Sequence, residues 1–446
     1  MRMKRIELVR VCVEDCTIRY TVHEDRGLGL LKQESVDLFV RFHFNETFNC
    51  DLNKVPLSIL ALPISLYMIP ITYFYDVEVV IPEMDRKLYE RLPRIYSAYS
   101  KIYGPFQESW RGKVTVKKIV DNHLAGDLKY DKIVFFSGGV DACHAGVSNA
   151  GNRSLLVNIP DIERQDKKDF DLHDVKISLT KNFAKMVGSD WILISNNFKA
   201  CLFRDVEIKK YLSEVRGLSS PAYKFDGWQG IKYVANMCSV APVAYLTGTP
   251  LLVMGSSCEE MEGKYAENFD GAHPEITNSF AFAGTSFAEQ EGLRIRRTNK
   301  VRNIVEWCKS RGEKTKIWAC YVGGAEQCGF CGKCVRTQLN ILCVGENPKE
   351  WGFEMFSEKK FAKFIRTYQY KESNPCWLWD MIDTIEDGRT YPYLNELLHW
   401  LKAIGYKRYA IRANRRAALM GILRRAVSIR SYPYYARRAV FKLIGR

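Results

Sequence analysis

One twelve-residue stretch constrains the fold more than any other: Lys132-Ile-Val-Phe-Phe-Ser-Gly-Gly-Val-Asp-Ala-Cys143. Its branched and aromatic run, Ile133 to Phe136, reads as a short buried strand. Ser137-Gly138-Gly139 then turns the chain, and Val140 opens a helix. Adjacent glycines permit a sharp turn that brings several N–H groups onto one point. Added to the positive end of the next helix, they make an anion site. The Ser137 hydroxyl is a further donor, and Asp141 stands where a carboxylate can hold Mg²⁺ through water. For the glycine pair alone, an ordinary strand-to-helix turn is the plain alternative.

The chain keeps this rhythm as far as residue 321. Leu155–Asn158, Trp191–Ser195, Leu251–Gly255 and Lys316–Cys320 are short apolar runs, and helical spacing separates them in Lys176–Val187 and Trp228–Leu246. Alternating strands and helices predict a parallel sheet covered by helices on both faces over 131–321. Ligands of such sheets bind at the carboxyl ends of the strands. Those ends carry Ser137-Gly138-Gly139, Asn158, Ser195-Asn196-Asn197 and Gly255-Ser256-Ser257. Each of the last three is unexceptional as a polar turn; together with the first they outline one rim.

The 446 residues divide into three parts: 1–130, a mixed α+β domain; 131–345, the alternating domain; and 346–446, a helical C-terminal region. In the first part, Val36, Leu38, Val40, Phe42 and Phe44 alternate with polar residues as a half-buried strand does, as do Val77, Val79 and Ile81 before Pro82. Leu88, Leu92, Ile95, Tyr99 and Ile102 follow helical spacing, with Pro93 predicting a break. Val55–Tyr75 lacks any charge, which raises the question of a membrane span, but Pro56, Pro63 and Pro70 favour buried strands and turns. The net charge of +15 is concentrated at one end: residues 401–446 hold thirteen Lys or Arg and no Asp or Glu. Leu419, Ile422, Leu423, Ala426 and Val427 share one helical face there, flanked by arginines and tyrosines. That suits a helix on its own core, or an anionic membrane surface or protein partner, with RNA the weaker fit. No secretory signal pattern opens the chain, and its fourteen cysteines are mostly unpatterned, so a reducing, cytoplasmic setting is expected, with a peripheral membrane contact through the tail.

Cys320, Cys328, Cys331 and Cys334 are the patterned ones, spaced C-x7-C-x2-C-x2-C with glycines among the last three. Four thiolates close a tetrahedral Zn²⁺ shell and leave no position for a reacting water, so the spacing predicts a structural metal. A redox or persulfide pair is the rival, and it needs two of these thiols free.

The string Ser137-Gly138-Gly139-Val140-Asp141 resembles the pyrophosphate loop, Ser-Gly-Gly-x-Asp-Ser, of the PP-loop ATP pyrophosphatases (adenine nucleotide alpha-hydrolases), with Ala142 in place of the second Ser. Followed by this cysteine pattern, it is similar to 7-cyano-7-deazaguanine synthase and its relatives. Met254-Gly-Ser-Ser, Gly271-Ala-His-Pro-Glu275, Gly292-Leu-Arg-Ile and the helix from Thr298 to Cys308 come in that family's order. Cys328-Gly-Phe-Cys331-Gly-Lys-Cys334-Val-Arg-Thr337 resembles a string from one branch of it. The likeness covers 131–345. It departs after the second strand, where the family has Asp-Tyr-Gly-Gln-Arg-His and this chain has Leu156-Val-Asn-Ile-Pro-Asp-Ile-Glu163. It therefore carries the nucleotide half of the site and not the deazaguanine half.

The resemblance implies a Rossmann-like α/β sheet of the HUP (PP-loop) type. It implies ATP held by Ser137, Gly138, Gly139, Val140, Asp141, Asn158, Ser195 and Gly255, with Mg²⁺ and a structural Zn²⁺. It implies an AMP-forming ligase: a small-molecule or macromolecular carboxylate takes the adenylyl group, pyrophosphate leaves, and a nitrogen nucleophile displaces AMP. Charge on the departing pyrophosphate calls for cations. Arg297, Lys300, Arg302 and Arg336 are candidates, with Lys300 and Arg336 preferred as catalytic partners of Asp141. His273 is a candidate substrate contact or a turn-capping residue, and His144 is structural. An ATP-dependent sulfur transferase acting on tRNA and a non-catalytic nucleotide-binding protein are the alternatives.

Overall fold

A computed structural model describes residues 3–103, 110–151, 153–160, 167–214, 227–256, 271–320, 326–357 and scattered positions from 361 to 411. The described strands are β1 (Lys4–Glu14), β2 (Thr17–Glu24), β3 (Ser35–His43), β4 (Val77–Asp85), β5 (Lys113–Val120), β6 (Lys132–Phe135), β7 (Ser154–Asn158), β8 (Asp190–Asn196), β9 (Leu251–Val253), β10 (Ala281–Phe282) and β11 (Thr285–Phe287). They form one sheet in the order β10-β11-β9-β6-β7-β8-β3-β2-β1-β4-β5.

From β11 to β8 every neighbouring pair is parallel. The chain runs from β6 outward through β7 and β8, then returns to the other side of β6 for β9 and β11. The order therefore reverses between β6 and β9. Beyond such a reversal the connections on either side diverge and leave a crevice at the carboxyl ends of the strands. The predicted loop follows β6, and Gly255 follows β9, so both lie at that reversal of strand order. On the far side β8 pairs antiparallel with β3, so hydrogen bonding continues across residue 130 into the N-terminal strands.

The alternation within β6 explains its two-sided burial. Ile133 and Phe135 join the core on one face of the sheet, and Val134 and Phe136 the core on the other. The latter face is covered by α4 (Val140–Ser148), α5 (Lys167–Val187), α11 (Arg297–Ser310) and α12 (Gly332–Cys343). The former is covered by α1 (Leu57–Leu60), α2 (Leu62–Met68), α3 (Arg86–Tyr103), α8 (Gly227–Met237) and α9 (Ala241–Leu246). The short helices α6 (Phe198–Cys201), α7 (Asp205–Glu214) and α10 (Pro274–Thr277) complete the set.

Three local expectations are corrected. The uncharged run Val55–Tyr75 folds as short helical segments rather than strands, and its prolines start them: Pro56 caps α1, Pro63 lies in the first turn of α2, and Pro70 opens a 3₁₀ turn at Ile69–Tyr73. Proline tolerates those positions because the N–H it lacks has no partner in a helix's first turn. The run is buried, and no described helix is long and apolar enough to cross a membrane. Helix α3 continues through Pro93. A mid-helix proline costs about 3 kcal/mol. Burial of Leu88, Leu92, Ile95, Ala98 and Tyr99, with the Tyr99 hydroxyl donating to Ile231 O at 2.6 Å, holds the helix together. Lys316–Cys320 is not a strand; the fifth parallel strand is β11 instead.

The described positions between 361 and 411 are helical apart from Gly405. The C-terminal region is expected to pack as a helical cap through aromatic residues such as Trp377, Trp379 and Trp400; these and the amphipathic stretch Leu419–Val427 lie outside the described residues.

Candidate functional site

The loop after β6 is shaped by one glycine. Gly138 has φ +85°, a conformation that L side chains rarely adopt, and a Cβ there would lie 2.3 Å from Leu179 Cδ2 and 3.0 Å from Trp318 Cβ. Its carbonyl accepts the Trp318 backbone N–H at 2.6 Å and the Cys143 thiol at 3.3 Å. The Ser137 carbonyl accepts from Lys176 Nζ at 2.6 Å. Gly139 is the N-cap of α4, and no side chain caps that helix. Among the described residues the first N–H groups of α4 have no side-chain cap, and they present the positive end of the helix dipole at the reversal of strand order.

Across the reversal, Gly255 packs against the same turn. A Cβ on it would meet the Asp141 carbonyl oxygen at 2.1 Å, so only glycine allows the two backbones to approach so closely. The Asp141 carboxylate is the hub. Its Oδ2 pairs with Arg297 at 2.6 Å and its Oδ1 with Lys300 Nζ at 3.2 Å. Lys300 is fully buried and also donates to Ser256 O at 2.7 Å. Burial alone would raise the Asp141 carboxyl; Arg297, Lys300 and Arg336 outweigh it and hold it below the usual carboxylate range. His144, one turn along α4, is buried and bonded through Nε2 to Asn303 at 3.2 Å. Burial and the Lys300 charge push its imidazole down to about 4, so it is neutral at pH 7.

Ser137, Gly138, Gly139, Val140, Asp141, Gly255, Lys300 and Arg336 are thus gathered at one turn. Asn158 and Ser195 end adjacent strands, but their side chains are engaged elsewhere. The Asn158 amide donates to Thr180 at 2.9 Å, and the Ser195 hydroxyl meets His43 Nε2 of β3 at 2.9 Å. Arg302 reaches Asn299 at 2.7 Å and the Thr384 carbonyl at 3.4 Å. His273 caps α10, its Nδ1 accepting the Glu275 N–H at 3.2 Å.

The four cysteines converge. The sulfurs of Cys320, Cys328, Cys331 and Cys334 all lie within 4.8 Å of one another, and Cys328 and Cys334 are 3.9 Å apart. A tetrahedron of about 2.3 Å Zn–S bonds has S···S edges of about 3.8 Å. The backbone N–H groups of Cys328 and Cys331 point at the sulfurs of Cys320 and Cys328, at 3.4 and 3.3 Å, which eases the charge of thiolates. The cluster can hold a metal such as zinc.

This cluster is joined to the loop in two ways. Cys320 ends the segment whose Trp318 N–H is bonded to Gly138, and that segment is pinned by Gln327, which accepts the Ala319 N–H and donates to Ile317 O. Cys331 is the N-cap of α12, the helix that carries Arg336. Asn340 of the same helix accepts from Thr298 of α11 at 2.7 Å, next to Arg297.

Sequence reasoning ranked one contributor too low and missed two. Arg297, a candidate but not a preferred one, makes the shortest ion pair to Asp141. Lys176 sits on the Ser137 carbonyl with its ammonium 5.7 Å from the centre of the Trp318 ring, and burial pushes it down to about 8. Its signal was available: Lys176, Leu179, Thr180 and Phe183 share one helical face, and the last three are buried. Trp318 acts through its backbone, which no residue type encodes. Compared with family models, with curated proteins and with solved structures, the chain matches none.

Proposed function

We propose that the chain binds ATP at the Ser137–Asp141 loop and is an AMP-forming ligase of the PP-loop type. One observation supports it above the rest. An uncapped helix N-terminus lies at the order reversal of a parallel sheet, and the Arg297, Lys300 and Arg336 charges converge on its first turn. N–H donors, a helix dipole and cations then serve one polyphosphate.

In the reaction, a carboxylate oxygen of the substrate attacks the α-phosphorus. The new O–P bond forms as the bond to pyrophosphate breaks, and negative charge grows on the departing group. Lys300 and Arg336, with Arg297, meet that charge in a largely buried setting, where fixed cations are worth more than in water. A neutral nitrogen nucleophile then attacks the acyl carbon, the C–O bond to AMP breaks, and the nitrogen loses a proton to leave an amide. Cys320, Cys328, Cys331 and Cys334 would hold Zn²⁺, which would take no part in these bonds and would brace the segment at Trp318 and the N-terminus of α12. The sulfur-transfer alternative needs two of these thiols free, and all four converge on one centre.

The test is exchange of radiolabelled pyrophosphate into ATP, screened across carboxylates, with AMP measured alongside. Carboxylate-dependent exchange with AMP formation supports the ligase. ATP binding with no exchange and no AMP, for any carboxylate, leaves the non-catalytic alternative.

A further inference from the structure

Magnesium is the companion of ATP that the loop resemblance implies, with Asp141 as its ligand. The residues present do not fit that role. Both oxygens of Asp141 are already in ion pairs, one with Arg297 at 2.6 Å and one with Lys300 at 3.2 Å. Lys300 is not a surface side chain that can swing away: it is fully buried and anchored on the Ser256 carbonyl at 2.7 Å. The charge of Arg336 bears on the same carboxylate. A hard divalent cation needs open carboxylate oxygens and gains nothing from an ammonium and a guanidinium in contact with the carboxylate that the resemblance assigns to it. Among the described residues, the only group of three or more His, Cys, Asp or Glu side chains able to share a metal is the cysteine cluster.

We propose that the loop takes phosphate without a divalent cation: Arg297, Lys300 and Arg336 supply the positive charge, and Asp141 is the counter-ion they exchange for phosphate oxygens. This rests on the reading of the loop as a phosphate site. Ion exchange of this kind suits the geometry, because the guanidinium and ammonium groups are already ordered at the first turn of α4 and need only trade one anion for another.

The experiment is calorimetric titration of the full-length protein with ATP, and separately with inorganic pyrophosphate, in EDTA and in excess magnesium. Affinity in EDTA should stay within about threefold of that in magnesium, a difference of less than 1 kcal/mol. Asp141→Asn should tighten metal-free pyrophosphate binding by about fivefold or more, since it removes the anion that competes for Arg297 and Lys300. Binding that appears only with magnesium, or a weakened Asp141→Asn variant of unchanged melting temperature, overturns the proposal and leaves the ATP site standing. Binding of neither ligand under either condition overturns the phosphate site itself, and the proposal with it. Should Asp141→Asn fail to fold, the comparison of EDTA with magnesium on the native chain decides alone.

Discussion

Replacing Gly138 by alanine separates the loop's geometry from its chemistry, because no polar atom is lost. The added methyl lands 2.3 Å from Leu179 Cδ2 and 3.0 Å from Trp318 Cβ at a backbone φ of +85°. The left-handed conformation costs an L residue about 1–2 kcal/mol. Forcing a methyl into a packed interior costs a further 1–3 kcal/mol or so. Keeping the native loop would therefore cost about 2–5 kcal/mol, and the cheaper outcome is a displaced loop that gives up the Gly138 carbonyl bond to Trp318. Gly139→Ala is the control: its φ of −72° is ordinary, and the nearest atom to its Cβ is Ser137 Oγ at 3.6 Å. Urea unfolding and ATP titration of both variants provide the assay. Gly138→Ala should lose about 2 kcal/mol or more of stability, or bind ATP at least about tenfold more weakly, the factor that 1.4 kcal/mol of loop distortion produces. Gly139→Ala should keep wild-type stability. Equal stability and equal ATP affinity in wild type and Gly138→Ala would refute the steric argument.

Three further outcomes are expected. Freshly purified reduced protein should carry about one zinc per chain, and Cys331→Ser should lose the metal and bind ATP at least about tenfold more weakly; metal analysis with ATP titration checks both. Lys232 is buried, pairs with Asp205 at 2.8 Å and lies 4.6 Å from the Trp228 ring centre, and burial pushes its ammonium down to about 8. The unfolded chain then binds the proton more tightly between pH 8 and about 10.5, so wild-type stability should rise across that window by up to about 3 kcal/mol relative to Lys232→Met; parallel urea-melt profiles would contradict this. Removing residues 405–446 should leave ATP turnover intact and abolish co-sedimentation with anionic liposomes at low salt, as expected if the basic tail rather than the fold meets an anionic surface.

Much of the sheet was legible because its signals are local. Ile133–Phe136, Leu155–Asn158 and Trp191–Ser195 are apolar runs of strand length bounded by turns, and each contains or overlaps a strand. Local cues misled where tertiary context overrides them. Pro93 stays in a helix because the residues around it are buried on one face. Lys316–Cys320 has a strand's composition but spends its N–H groups on Trp351, Gly138 and Gln327 instead of on a neighbouring strand. At the site, residue types told which side chains carry charge but not which carboxylate they meet. Asp141 is 156 residues before Arg297, and only the packing of α4 against α11 joins them.

That packing also bears on how a metal at the cysteine cluster would support the proposed phosphate loop. Among the described residues the loop has one backbone tie to the rest of the fold outside its own strand and helix, the Trp318 N–H to Gly138 O bond, and Trp318 lies in a segment that is not a described strand. Such a segment loses little free energy when it opens, because few bonds break together. Fixing Cys320 to the thiols of Cys328, Cys331 and Cys334 closes the segment at one end, while Gln327 holds its middle. The same cluster includes Cys331, the N-cap of α12, the helix that carries Arg336. If the cluster holds a metal and the loop binds phosphate as proposed, the two are linked in both directions: whatever holds the four sulfurs together lowers the entropy that phosphate binding must still overcome, and phosphate bound at the loop favours the segment that presents Cys320.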